Sequence, residues 1–316
     1  MKLIKTLLAT AVVAGSMGGV AIAQDKVTIG VSVPAADHGW TGGVNYFAQQ
    51  AIERLGNTYP DVTYVFTSAP DAPKQIADIE DMVSTRNIDA LVILPGDPDA
   101  MTSAIKQVKD AGKFVTVVDR ELSITGVEDL YVAGDNPGLG ANSAEFFKQH
   151  MPDGGNIVIL RGLPIPIDAQ RFDAFMAGLE GSNITVLDNE FANWNRDDGF
   201  KVMQDFLTRF PDIKGVWAQD DDIALGAIEA IKQAGRDKEM FIVGGAGMQQ
   251  MIQRVADGDT LVPVDVSYSP AMIATAIELT TAHLVGGVQV SGRYVLDSTL
   301  ITKDNADEFL DAESPF

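Results

Sequence analysis

The sequence predicts an α/β protein of two lobes, each built on a parallel sheet. Three observations carry this. Short β-branched runs alternate with amphipathic helical runs, the pattern of a sheet covered by helices on both faces. The alternation runs through once and then begins again, which implies two sheets. The chain, at 316 residues, is long enough for one large or two medium domains.

Residues 27–33 alternate in polarity and read as the first strand. Over 38–55, Val44, Phe47, Ala48, Ala51, Ile52 and Leu55 recur at helical spacing, and Gly56 follows as a stop. A strand at 62–66 precedes a helix at 73–86 that turns Ile76, Ile79, Met82 and Val83 inward. Residues 88–94 form a nearly continuous apolar run, as a strand buried on both faces requires. Met101, Ala104, Ile105 and Val108 mark a helix ended by Gly112, and strands follow at 114–118 and 130–133. The second run has strands at 156–160, 184–191, 215–218 and 240–244, with helices at 168–179, 196–210, 222–234 and 248–256.

Ahead of this pattern lies a short leader. Lys2 and Lys5 are followed by the apolar run Leu7 to Ala14, and Ala21 and Ala23 offer small residues before Gln24. This is the form of a cleaved signal peptide over 1–23. It is too short for a bilayer span, and Gly15, Gly18 and Gly19 interrupt it. The formal net charge is −21, two units more negative without Lys2 and Lys5. Such a field repels nucleic acid and anionic lipid. With no cysteine, disulfides, thiolate metal sites, cysteine nucleophiles and lipid attachment through cysteine are excluded. A secreted, untethered chain suits the periplasm, and nothing in it calls for a metal or cofactor.

Chemistry in such folds gathers at the carboxyl ends of the parallel strands. Those ends carry Asp37, His38 and Trp40; Pro95, Gly96 and Asp97; Asp119 and Arg120; and Asp135 and Asn136. In the second run they carry Asp168 and Arg171; Trp194 and Arg196; Gln219 and Asp220; and Gly245 with Ala246. A neutral polyhydroxyl ligand needs this mixture. Carboxylates and amides accept its hydroxyl protons, Arg donates to its oxygens, and indole faces cover its C–H surface. His38 reads as a ligand donor or a helix cap. Arg171 and Arg196 read as ligand contacts, with inter-lobe ion pairs as the alternative. Asp220 reads as a ligand acceptor, while Asp221 and Asp222 begin a helix. Trp217 lies within a strand and belongs to the core, and His150 and His283 read as solvated helix positions.

Enzymes are poorly served. The turn Val33-Pro34-Ala35-Ala36-Asp37 lacks the glycine fingerprint of dinucleotide binding. There is no Gly-x-Ser-x-Gly elbow and no His-Glu-x-x-His, and the histidines number three.

In order along the chain, Val27-Thr28-Ile29-Gly30-Val31, Ile93-Leu94-Pro95-Gly96-Asp97, Val117-Val118-Asp119-Arg120, Gly134-Asp135-Asn136, Ala218-Gln219-Asp220-Asp221 and Ile242-Val243-Gly244-Gly245 resemble the ribose-type periplasmic sugar-binding proteins. These are solute receptors of ABC importers. The resemblance covers essentially all of the chain after the leader. It implies two Rossmann-like lobes joined by a three-segment hinge, with a ligand cleft between them. It places the crossovers near 134–136, 266–268 and 296–298. The lobes become 24–134 plus 269–296 and 135–268 plus 297–316. It implies a monomer that hands a small sugar or polyol to a membrane permease. It matches Asp119 and Arg120 to a sugar-gripping pair, and Arg171, Trp194 and Arg196 to second-lobe ligand positions. Asp220 stands where ribose receptors have Asn, Tyr268 where they have a hinge Gln, and Leu94 where they have a ligand-binding Asn. Gly245-Ala246 replaces Phe-Asp. These departures point away from ribose, toward a related pentose, a sugar alcohol or a branched polyol. A receptor feeding taxis or quorum sensing would differ only downstream. A sugar-responsive DNA-binding regulator would carry a helix-turn-helix where this chain has its leader.

Overall fold

A computed structural model describes residues 26–316, so the leader expected over 1–23 lies outside the described residues. The first part of the chain runs β1 (Val27–Pro34), α1 (Gly39–Thr58), β2 (Val62–Ala69), α2 (Ala72–Ser84), β3 (Ala90–Ile93), α3 (Pro98–Asp110), β4 (Phe114–Val118) and β5 (Leu130–Gly134). The next part runs α4 (Asn136–His150), β6 (Gly155–Arg161), α5 (Pro166–Gly178), β7 (Ile184–Phe191), α6 (Arg196–Arg209), β8 (Gly215–Ala218), α7 (Asp221–Gln233), β9 (Phe241–Val243), α8 (Gln249–Asp257) and β10 (Asp265–Val266). The last part holds α9 (Met272–Val285), β11 (Gly292–Leu296) and β12 (Leu300–Ile301).

The strands make two parallel sheets, one per lobe. The first has the order β11-β5-β4-β3-β1-β2 and the second β7-β6-β8-β9. In the first lobe α1 and α9 pack on one face of the sheet, α2 and α3 on the other. All four residues of β3 are buried, which accounts for its unbroken apolar sequence. Acidic caps start the helices. Asp71, Asp97 and Asp135 each accept a backbone N–H from the first turn, and each is followed within two residues by proline. Many of the chain's carboxylates are therefore local structural caps.

Three parts of the fold are absent from the element list read from sequence. Helix α4 buries Asn136, Leu139, Gly140, Ser143, Ala144 and Phe147. Half of that face is polar or glycine, so little apolar period remains to read. Strand β11 has four of its five residues exposed and pairs only with β5 at the sheet edge, so it carries no inside–outside alternation. Strands β10 and β12 pair antiparallel over two residues each, too short for any period.

The chain passes between lobes after β5, after Tyr268 and after β11. The end of the chain adds a further contact. Gln249 of α8 bonds Phe309 and Asp311, the Tyr46 hydroxyl on α1 donates to the Glu313 carbonyl at 2.7 Å, and Phe316 is buried against α1. Among the described residues, no helix is long and apolar enough to cross a membrane.

Candidate functional site

The strand-end loops of the two lobes face each other across a cavity of about 330 Å³. His38, Trp40, Asp119 and Arg120 line it from the first lobe, Arg171, Trp194 and Asp220 from the second, and Tyr268 from the hinge. Ile167, Gly245 and Ala246 complete the wall.

On the first lobe, His38 sits at the start of α1 in extended conformation. Its Nδ1 meets Asp37 Oδ1 at 2.7 Å and Thr41 Oγ1 at 3.0 Å, which turns the other ring nitrogen away from this cluster. The His38 hydrogen bond, aided by Thr41, holds the Asp37 carboxyl down at about 2 despite partial burial. Both roles considered for His38 are met: it caps α1 and faces the cavity. Trp40 is anchored by its indole N–H, which donates to the Tyr268 carbonyl at 2.9 Å. Asp119 follows β4 with φ +63°, a left-handed conformation that costs free energy in a non-glycine residue. The strain turns its carboxylate back into the cleft. Arg120 is held by the carbonyls of Pro95 and Gly96, which accept from Nη1 at 3.2 and 2.7 Å. Its Nε is buried with no hydrogen-bond partner and lies 3.8 Å from Asp119 Oδ2.

On the second lobe, Arg171 projects from α5. Its Nε donates to Asn136 Oδ1 and its Nη1 to the Gln219 carbonyl, both at 2.8 Å. Trp194 adopts φ +55°, and its ring lies so close over Gly162 that a Cβ there would come within 1.9 Å. The Arg171 guanidinium carbon stands 5.1 Å from the Trp194 ring and 4.3 Å from the Tyr268 ring. Asp220 caps α7, accepting from Ile223 N at 3.0 Å.

Burial pushes the Asp220 carboxyl up to about 7, with Asp222 and Asp221 adding repulsion and His38 opposing them. Its unfolded value is near 3.8, so stability from this group is fully present below that pH. As pH rises toward about 7 the unfolded chain releases the proton before the folded one, and the stability is lost. Melting temperature without ligand is therefore expected to fall across this window. Asp220→Asn should flatten part of the fall. Parallel melting curves for wild type and variant would contradict this account of Asp220.

Three expected contacts sit elsewhere. Asn136 stands behind the cavity wall, joining Arg171 to the Tyr268 hydroxyl, which accepts from its Nδ2 at 3.0 Å. Asp37 supports His38 from the exposed side. Arg196 lies outside the cavity, because Asp222 holds its guanidinium at 2.9 Å and its side chain is 47% exposed. That ion pair is within the second lobe. His283 is half-buried rather than solvated, stacked on Phe114 at 4.2 Å.

Sequence reasoning missed two groups. Asp222 does more than start α7: it accepts from Gly39 N at 2.7 Å and so ties the second lobe to the first turn of α1. Asp221 accepts from Gly245 N at 2.9 Å and Met248 N at 2.7 Å, fixing the loop that carries Gly245 and Ala246. Burial beside Asp265 drives the Asp221 carboxyl well up. The three consecutive acids were the available signal, since a run of carboxylates at one helix start exceeds what its dipole needs. Asp222→Ala is expected to loosen the closed arrangement and weaken ligand affinity about tenfold, or about 1.4 kcal/mol. Small-angle scattering and calorimetry would check it; unchanged compactness and affinity would discount the tie.

The periplasmic binding protein domain model matches residues 29–287. The chain belongs to this family. Among its relatives, the ribose import binding protein of Escherichia coli is 27% identical over 304 residues, covering 96% of this chain and 99% of that protein. A xylitol-binding protein of Mycolicibacterium smegmatis is 29% identical, covering 78% of this chain and 70% of that protein. An ABC transporter solute binding protein from Mycobacterium smegmatis, solved with bound glycerol, superimposes with a TM-score of 0.80 at 27% identity. That match covers 91% of this chain and 98% of the other. The two lobes and parallel sheets are thus the family's architecture, as the sequence predicted.

Proposed function

We propose that this chain is a periplasmic solute receptor of an ABC importer that clasps a small neutral sugar or sugar alcohol between its lobes. The observation that carries the reading is the Arg120 Nε, buried without a partner 3.8 Å from Asp119 Oδ2 on the cavity wall. A hydroxyl between them accepts from one and donates to the other, which neither a simple anion nor a simple cation does. Arg171 and Asp220 repeat the donor–acceptor pairing from the opposite lobe, and Trp40 and Trp194 supply apolar faces. Because one ligand touches both lobes, its differential affinity favours the closed state.

In this reading the first lobe is 24–134 with 269–296 and the second 135–268 with 297–316. The receptor works as a monomer after loss of the leader. It acts by binding rather than catalysis, and closure presents the two lobe surfaces to a membrane permease. Family membership and the import roles named for its relatives support this. A thermal-shift screen of pentoses, hexoses and polyols is the test, since a ligand of the native state raises the melting temperature. At least one should give a saturable shift. No shift with any of them would overturn the reading.

A further inference from the structure

We propose that Tyr268 sets the length of the ligand, so that the cleft takes a short acyclic polyol, a triol or tetritol, in preference to a pentose or hexose ring. This rests on the polyol-receptor reading and narrows it.

Tyr268 is the most constrained side chain at the site. Its hydroxyl donates to Asp119 Oδ1 and accepts from Asn136 Nδ2. Its carbonyl holds the Trp40 indole, and the Arg171 guanidinium lies 4.3 Å from its ring centroid. The ring packs so tightly on Gly134 that a Cβ there would approach to 2.3 Å. These contacts reach both lobes and the first crossover, so the ring does not swing aside without breaking several of them. It therefore behaves as a fixed wall, 3% exposed, at one end of the cavity.

That wall also removes a binding position. With Oδ1 engaged by Tyr268, Asp119 keeps one oxygen for a ligand. Asp220 likewise has one oxygen committed to Ile223 N, and Arg171 has its Nε and Nη1 committed within the protein. The wall beyond these groups is Ile167, Gly245 and Ala246, none of which offers a polar side chain. Leu94, fully buried, supplies no amide from below the first-lobe loops. A pentose or hexose would enclose hydroxyls that find no partner, each costing about 1–3 kcal/mol. The cavity volume of about 330 Å³ stands at the lower end of the ~300–1,000 Å³ range of small-molecule sites. Few polar positions and little length together favour a ligand with few hydroxyls and no ring.

Calorimetry with glycerol, erythritol, ribose and glucose tests this on wild type, Tyr268→Phe, Tyr268→Gln and Tyr268→Ala, each checked for cooperative melting. In wild type, erythritol or glycerol should bind at least tenfold more tightly than ribose, and glucose more weakly still. Tyr268→Phe keeps the ring and should keep that ranking. Tyr268→Gln and Tyr268→Ala remove the wall and should bring ribose level with or ahead of erythritol. If wild type binds ribose or glucose as tightly as erythritol, the length limit is wrong while the receptor reading stands. The same holds if removing the ring leaves the ranking unchanged. If no polyol or sugar binds the wild type, both fall.

Discussion

Arg120→Ala lowers affinity for the best-binding polyol more than tenfold, a loss above about 1.4 kcal/mol. Two effects add. The ligand hydroxyl that accepts from Nε loses its donor inside a water-poor cleft, and an unmatched buried group costs about 1–3 kcal/mol. The Pro95 and Gly96 carbonyls lose the Nη1 donor that ties their loop to the end of β4. The second effect also lowers stability, so affinity must be measured well below the variant's melting temperature. Arg120→Lys separates the two. It keeps a positive charge near Asp119 but lacks the planar fork that reaches a carbonyl and the cleft together. Lysine should therefore restore little of the affinity. Titration calorimetry showing unchanged affinity in the alanine variant would remove Arg120 from the site.

The legibility of this chain follows its periodicity. Strands β1, β3, β4 and β8 and the helices between them were readable because burial on fixed faces forces a period of apolar residues. The edge strand β11 and the Gly- and Ser-containing face of α4 impose no such period. At the site, eight expected residues, from His38 to Tyr268, line the cavity because strand-end position alone brings them together. What the sequence does not carry is pairing between side chains. Arg196 and Asp222 sit in different loops, and only the fold shows that each satisfies the other. The protonation of Asp220 is also a tertiary property. A carboxyl held up near 7 by burial offers one donor and one acceptor below that pH, as an amide does. That is consistent with its standing where the resemblance expects Asn. The exchange keeps hydrogen-bonding character at low pH and turns the group into a pure acceptor once it ionises.

The two indoles Trp194 and Trp217 give the other large effect, because they look alike in composition and differ in consequence. Trp217 is completely buried in β8, stacked on Phe175 with centroids 3.9 Å apart and planes 10° from parallel. Trp217→Ala opens a large cavity between α5 and the second sheet and should cost about 3–5 kcal/mol of stability. Part of this is offset, since its indole N–H is buried without a partner and its removal relieves that desolvation. Trp194 lies instead at the cleft, with Arg171 at 5.1 Å on its ring. Trp194→Ala should weaken polyol affinity roughly tenfold, about 1.4 kcal/mol, through loss of the apolar face and a freer Arg171. Its stability loss should be the smaller of the two, because the loop, unlike β8, has the cleft on one side. Chemical denaturation and calorimetry on both variants give a two-by-two comparison. Affinity lost in Trp217→Ala with stability retained, and the reverse in Trp194→Ala, would exchange the roles given to the two residues and move the site away from the cleft.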